Sequence, residues 1–84
     1  MAELIQTYAE VVRDARGAEF VASACGEERG DGKWEGWIEF RPAAGGGEAR
    51  RTARETTQPD RDALRYWATG LELVYLEGAL ARAS

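Results

Sequence analysis

Histidine is absent from the sequence, and cysteine occurs once, at Cys25. A single cysteine cannot form an internal disulfide, and without histidine it lacks the base that most often activates a catalytic thiol. No cluster of metal-ligating residues is apparent, so a general base would have to be a lone carboxylate or a tyrosine. We therefore expect a protein that is not an enzyme, that holds no metal and that needs no cofactor.

Long apolar runs and a secretory leader are missing too. No run approaches the roughly 18 residues that cross a bilayer, and the N-terminus lacks the basic and then apolar order of a signal peptide. We expect no membrane contact and a cytoplasmic location. The net charge of −4, with 31 % charged residues, is typical of a soluble surface and argues against nucleic acid as the main partner. With 84 residues, the chain should form one domain, residues 1–84.

The longest helix-forming segment runs from Thr57 to Ala83. Thr57 is suited to cap a helix, Pro59 needs no hydrogen-bond partner in a first turn, and Asp60 favours the positive end of the helix dipole. These residues predict a helix that begins near Gln58. Its apolar face repeats at spacings of three and four and consists of Ala63, Leu64, Trp67 and Leu71. That face must pack on another apolar layer.

Gly70 divides this segment. Inside a helix a glycine costs about 1 kcal/mol relative to alanine, whereas just past a helix end it adopts the left-handed conformation easily. We therefore predict two helices, about residues 58–69 and 71–83. One continuous helix bent at Gly70 is the alternative, because isolated glycines are tolerated inside helices.

Residues 4–13 fit two structures. Their apolar positions line one face of a helix, but Thr7, Tyr8 and the two valines also favour a strand. The following Asp14–Gly17 is typical of a type I turn closed by a left-handed glycine, which connects strands in hairpins. We predict a strand here, with a helix ended by Gly17 as the alternative.

The middle of the chain predicts a second hairpin. Ala18–Gly26 has no helical stripe, and Asp31–Gly32 is a strong hairpin signal before the alternating segment Lys33–Arg41. We expect Trp37 to face away from the helices, and Gly36 to mark a bulge or a close approach of another segment. The residues expected beneath the helices are Trp34, Ile38 and Phe40.

Gly45–Gly47 lies in a loop by composition, and Glu48–Thr56 is polar on both faces, as expected of an edge strand. The sum is an α+β fold. It consists of an antiparallel meander of three to four strands, with one sheet face covered by the C-terminal helical segments.

Three strings resemble a known family. DGKWEGWIEF, RETTQPDRDALRYWATGL and VYLEGALARA are similar to a family of short bacterial proteins of unassigned function, which share a tryptophan-rich strand, an R-E-T-T-Q segment and a Y-W-A-T-G-L ending followed by Y-L-E-G-A-L. The resemblance covers Gly30–Ala83. It supports the fold. The family often has proline where Leu73 stands, which favours a helix break near Gly70, and this sequence departs from the family at that residue, so the resemblance supports the break less strongly. It implies no activity.

The preferred function is a non-enzymatic protein-interaction module. It would bind another copy of itself, as a homodimer, or a partner protein through the uncovered sheet face or the second helix. The candidate contact residues are Trp37, Tyr75, Gly78, Ala79 and Ala83.

The alternative is a binder of nucleic acid or of a phosphate-bearing ligand. Arginine beside aromatic rings holds phosphates and unstacked bases. The candidate anion contacts are Arg50, Arg51 and Arg54, with Tyr66 and Trp67 as the nearby aromatic residues.

Overall fold

An antiparallel sheet with two C-terminal helices packed against it makes up the structure, a computed structural model that describes all 84 residues. The elements in chain order are β1 (Glu3–Thr7), β2 (Val12–Arg13), β3 (Glu19–Glu28), β4 (Trp34–Pro42), β5 (Arg50–Arg51), β6 (Thr56–Gln58), α1 (Arg61–Thr69) and α2 (Leu73–Arg82). The predicted α+β class, with helices on one face of the sheet, is confirmed.

The long strands β3 and β4 form the centre of the sheet. Both β1 and β2 pair with β3, and both β5 and β6 pair with β4, always antiparallel. Each outer position of the sheet is therefore filled by two short strands that lie end to end, called here an outer column. From one edge to the other the order is β1 with β2, then β3, then β4, then β5 with β6, which is the order along the chain. This is the predicted meander.

Both predicted hairpins are present. At the first turn Gly17 has a φ of 83° and donates its N–H to the Asp14 carbonyl at 3.0 Å. At the second, Gly32 has a φ of 86° and donates to the Arg29 carbonyl at 3.1 Å. Residues 4–13 contain strands and no helix, as the first turn indicated, although residues 8–11 lie outside the strands and separate β1 from β2 along β3.

The predicted continuous edge strand Glu48–Thr56 is wrong, because a bulge divides it. The Thr52 hydroxyl accepts a hydrogen bond from the Ile38 N–H at 3.1 Å, and the Thr52 N–H donates to the Ile38 carbonyl at 2.9 Å. Pairing resumes where the Glu55 N–H donates to the Gly36 carbonyl at 2.8 Å. Between the pair Arg51–Glu39 and the pair Thr56–Gly36, the outer strand has four residues and β4 has two, so the bulge inserts two extra residues.

The predicted helix start near Gln58 is also wrong. Thr56–Gln58 remains in the sheet as β6, so Thr57 is occupied by strand pairing and does not cap a helix. Asp60 is the N-cap instead, and its Oδ1 accepts a hydrogen bond from the Ala63 N–H at 2.8 Å. Thr57 and Asp60 are both residue types that cap helices, and the extent of the sheet decides between them.

The break at Gly70 is confirmed, and two helices follow the sheet. The first ends at Thr69, and the second begins at Leu73 rather than at 71. Gly70 has a φ of −88°, so it does not adopt the left-handed conformation that the sequence suggested. Its N–H donates to the Trp67 carbonyl at 3.2 Å, which tightens the last turn of α1.

A notch of two glycines receives α1. Gly26 and Gly36 oppose each other across β3 and β4, and the Leu64 side chain lies directly over them. An added Cβ would lie 2.3 Å from a Leu64 methyl at Gly26 and 2.6 Å from the other methyl at Gly36. The close approach predicted at Gly36 is therefore confirmed.

The hydrophobic core lies between the sheet and the two helices. Of the residues expected beneath the helices, Ile38 and Phe40 are fully buried. Trp34 is only half-buried, because it begins β4 at the hairpin end, opposite Glu28 and Gln58. The largest buried side chains include Phe40, Ile38, Leu64, Leu80 and Val12.

Candidate interaction surfaces

The sheet face opposite the helices, called here the open face, has Trp37 at its centre. Trp37 is cross-strand from Cys25, which is itself opposite Leu4 in β1. The prediction that Trp37 points away from the helices is correct, yet only 4 % of its surface is exposed. The Arg51 guanidinium lies 4.4 Å from the ring centroid, and the indole N–H donates to the Glu39 carboxylate at 2.9 Å. Long polar side chains therefore cover the ring.

Cys25 lies beside this tryptophan as a buried thiol. Burial raises the pKa of Cys25 to about 11, and the neighbouring Glu39 carboxylate adds to the increase. A thiol with a raised pKa supplies little of the nucleophilic thiolate at neutral pH. The residue therefore serves as a small packing group.

Leu4 is the large apolar side chain that the open face leaves in solvent, with 62 % of its surface exposed. It borders a shallow groove of about 270 Å³ whose other lining residues include Ser23, Cys25 and Arg41. Because β1 is the outermost strand on this side, Leu4 stands where the open face meets the edge of the sheet.

The two edges of the sheet differ in protection. At the β5 edge, Ser84 exchanges two backbone hydrogen bonds with Arg51, both 3.1 Å long, and so occupies the outer side of the strand. Bulging and arginine side chains further protect this column. The β1 edge consists of Glu3–Thr7, which contains neither proline nor a basic residue, and no strand pairs with its outer side.

The second helix does not offer the small-residue surface that the sequence suggested. Ala79 is completely buried and Ala83 retains only 7 % exposure, because both pack into the core against the sheet. Gly78 is half-buried beside the Arg82 guanidinium. These residues are therefore used within the fold rather than presented to a partner.

Tyr75, the remaining candidate on α2, is tied to the bulge. Its hydroxyl donates to the Glu55 carboxylate, which also accepts a hydrogen bond from Arg82 at 2.6 Å. Its ring meets Trp67 edge-on, with centroids 6.3 Å apart. Burial is the main cause that raises the pKa of Tyr75 to about 12, and the hydrogen bond to Glu55 is the second. The cluster fastens α2 to the edge of the sheet.

The three arginines predicted as anion contacts point in different directions. Arg50 lies on the helix side, where its Nη2 donates to the carbonyls of Leu80 at 3.2 Å and Ala83 at 3.0 Å. Arg51 covers Trp37 on the open face, and Arg54 lies in the bulge, 4.0 Å from the Glu35 carboxylate. Neighbours in a strand alternate between faces, so the sequence cluster is not a cluster in space.

A different set of arginine residues borders α2. Arg13, Arg16 and Arg50 line one cleft of about 500 Å³, called here the arginine cleft. The cleft lies between the Asp14–Gly17 turn and the second half of α2, and its remaining lining residues are Asp14, Ala15, Glu77, Leu80 and Ala81. Sequence reasoning missed Arg13 and Arg16 because only the packed structure brings their turn next to α2.

No group of three or more cysteine, aspartate or glutamate side chains is arranged to hold a metal ion, and neither helix is long and apolar enough to cross a bilayer. Comparisons with protein-family models, with curated proteins and with solved structures found no match to this chain. The resemblance of Gly30–Ala83 to a bacterial family therefore stays a prediction.

Proposed function

We propose that the chain is a non-enzymatic protein-interaction module that binds a second copy of itself along the β1 edge. The observation that carries this proposal is the unequal protection of the two sheet edges. Ser84, the bulge and Arg51 guard the β5 edge, whereas β1 leaves its outer side unpaired and exposes 62 % of Leu4.

An unpaired edge strand is a template for another strand. Its free N–H and C=O groups can bond to an extended segment, and proteins usually prevent this with charges, proline or a covering segment. In β1 the only charged side chain is Glu3, which the Arg61 guanidinium holds at 3.1 Å. The edge therefore keeps its capacity to pair.

The composition of β1 favours a second copy as the occupant. An antiparallel pair centred on Leu4, ahead of the irregular register, places Leu4 opposite Leu4 and Glu3 opposite Ile5. No carboxylate then faces another carboxylate, and the two-fold contact repeats the same pairs on both sides. Both copies of Leu4 lie near the junction of the two open faces, where they lose contact with water.

The contact is small, so the dimer should be weak. Five residues pair at most, and the irregular register between Leu4 and Gln6 bends the strand. We expect a dissociation constant on the order of micromolar, which corresponds to a free energy of dissociation of about 8 kcal/mol.

Sedimentation velocity over a micromolar concentration series tests the proposal. The wild-type protein should shift from monomer to dimer, and Leu4→Lys, which places a charge at the edge, should remain monomeric. Val74→Lys is the matched control, because Val74 is 72 % exposed on α2 and distant from β1 in the sequence. A wild-type protein that stays monomeric, or a Val74→Lys variant that dissociates as readily as Leu4→Lys, would refute the β1 contact.

A further inference from the structure

We propose that the arginine cleft binds a small phosphomonoester, a function separate from self-association. Three arginine residues, from β2, the first turn and β5, line the cleft beside α2. Planar guanidinium groups match the oxygens of a phosphate and form short, charge-assisted hydrogen bonds to it.

Arg50 supplies a fixed group at the base of this site. Two carbonyls near the end of α2 hold its Nη2, and its guanidinium lies 5.7 Å from the Phe20 ring centroid. A guanidinium has five N–H donors, so these bonds leave others free for an anion. Because the side chain is already ordered, less conformational entropy is lost when a ligand binds.

The acidic residues of the cleft oppose an anion only weakly. Asp14 Oδ1 already accepts the N–H groups of Arg16 at 2.9 Å and Ala18 at 3.0 Å, which disperse its charge into the turn. Glu77 is exposed on α2, so water screens it.

The cations remain available to a ligand. Neither Arg16 nor Arg50 forms an ion pair with a carboxylate of the chain. Arg13 pairs with Glu19, but both side chains are exposed, and pairs of this kind contribute little. Because Arg13 follows the buried Val12 in β2, its side chain lies on the open face with Glu19, and the site depends on Arg16 and Arg50.

The shape of the cleft selects a compact ligand. Ala15, Leu80 and Ala81 contribute small or apolar surface next to the guanidinium groups, and about 500 Å³ is open above them. This volume is at the lower end of small-molecule sites. An inorganic phosphate would use only the charged end, whereas a monoester with a flat organic group would also cover the apolar part.

Nuclear magnetic resonance titration of the ¹⁵N-labelled protein tests the site, with inorganic phosphate, phenyl phosphate and sodium chloride at matched ionic strength as probes. We expect saturable shifts at Asp14–Gly17 and Leu80–Arg82 with both phosphates, and tighter binding of phenyl phosphate. Equal affinities for the two phosphates would contradict the proposed preference for a monoester, because the cleft would then bind only the phosphate group. Shifts that chloride reproduces would refute the site altogether.

Arg16→Ala is the decisive variant, because the Arg16 side chain makes no hydrogen bond within the fold and its removal should not unfold the protein. Loss of one charge-assisted contact should weaken phenyl phosphate about tenfold. Arg65→Ala is the matched control, since Arg65 is an exposed and unpaired arginine on α1, and it should bind as the wild type does. Equal affinities of the two variants would overturn the assignment to the cleft.

Discussion

The glycine notch beneath α1 allows a sharp test of how the helix is docked. In Gly36→Ala the new Cβ would lie 2.6 Å from the Leu64 Cδ1 and 3.1 Å from the Thr56 Cγ2. Carbon atoms in favourable contact are about 3.5–4.0 Å apart, so the neighbours must move by roughly 1 Å. Leu64 is fully buried, and because protein interiors are closely packed its side chain has little room to move.

The expected loss in the free energy of unfolding is about 1–3 kcal/mol, the usual cost of overpacking a core. Urea denaturation followed by tryptophan fluorescence measures this loss, because unfolding exposes the buried ring of Trp37. Gly30→Ala is the control. Its Cβ would meet no atom within 4 Å, so we expect a change within about 0.5 kcal/mol.

A double variant separates the steric clash from other effects of the added methyl. Leu64→Ala alone should cost about 2–5 kcal/mol through the cavity it leaves. In Gly36→Ala combined with Leu64→Ala the methyl added on β4 enters that cavity, so the combined loss should be smaller than the sum by at least about 1 kcal/mol. Additive losses, or a Gly36→Ala variant as stable as Gly30→Ala, would refute direct docking of Leu64 on the notch.

Three further predictions concern the cap, the tyrosine cluster and the thiol. Asp60→Ala should lower the free energy of unfolding, measured by urea denaturation, by about 0.5–2 kcal/mol, and Thr57→Ala should lower it by less, because Asp60 caps α1 and Thr57 does not. A larger loss in Thr57→Ala would indicate that Thr57 is the cap, as the sequence predicted. Tyr75→Phe should lower the free energy of unfolding by about 1–2 kcal/mol, because it removes a hydrogen bond to the Glu55 carboxylate. Tyr66→Phe, at a residue that is 82 % exposed, should leave stability unchanged, and equal thermal midpoints of the two variants would contradict the role of Tyr75. Cys25 should react slowly with iodoacetamide in the native state and faster as pH rises toward 11, because its folded pKa lies above that of a free thiol. Since the folded pKa is the higher of the two, the contribution of Cys25 to stability is fully present below about pH 8.5 and is lost as pH rises through the folded pKa. Rapid native alkylation at neutral pH would contradict the buried, neutral thiol.

The candidate surfaces could be predicted only in part. Alternation along β4 correctly placed Trp37 opposite the helices, but it gave no sign that Arg51 and Glu39 would cover the ring. Likewise, small residues at helical spacing on α2 fit either a partner or the protein's own sheet, and the tertiary structure buries Ala79 and Ala83 against the sheet. Exposure depends on residues distant in sequence, so a local pattern cannot establish it.

Local sequence by itself determined the turns, the extended β4 and the division of the C-terminal segment near Gly70, because each depends on the conformational preferences of a few adjacent residues. Tertiary structure alone decided that Thr52 bonds to Ile38 and breaks the edge strand. It also decided that Arg50 turns toward α2, away from the neighbouring Arg51. The physical reason is that a polar side chain in a packed domain takes the partner that the fold brings near it, and the identity of that partner is fixed by the register of the sheet and the docking of the helices.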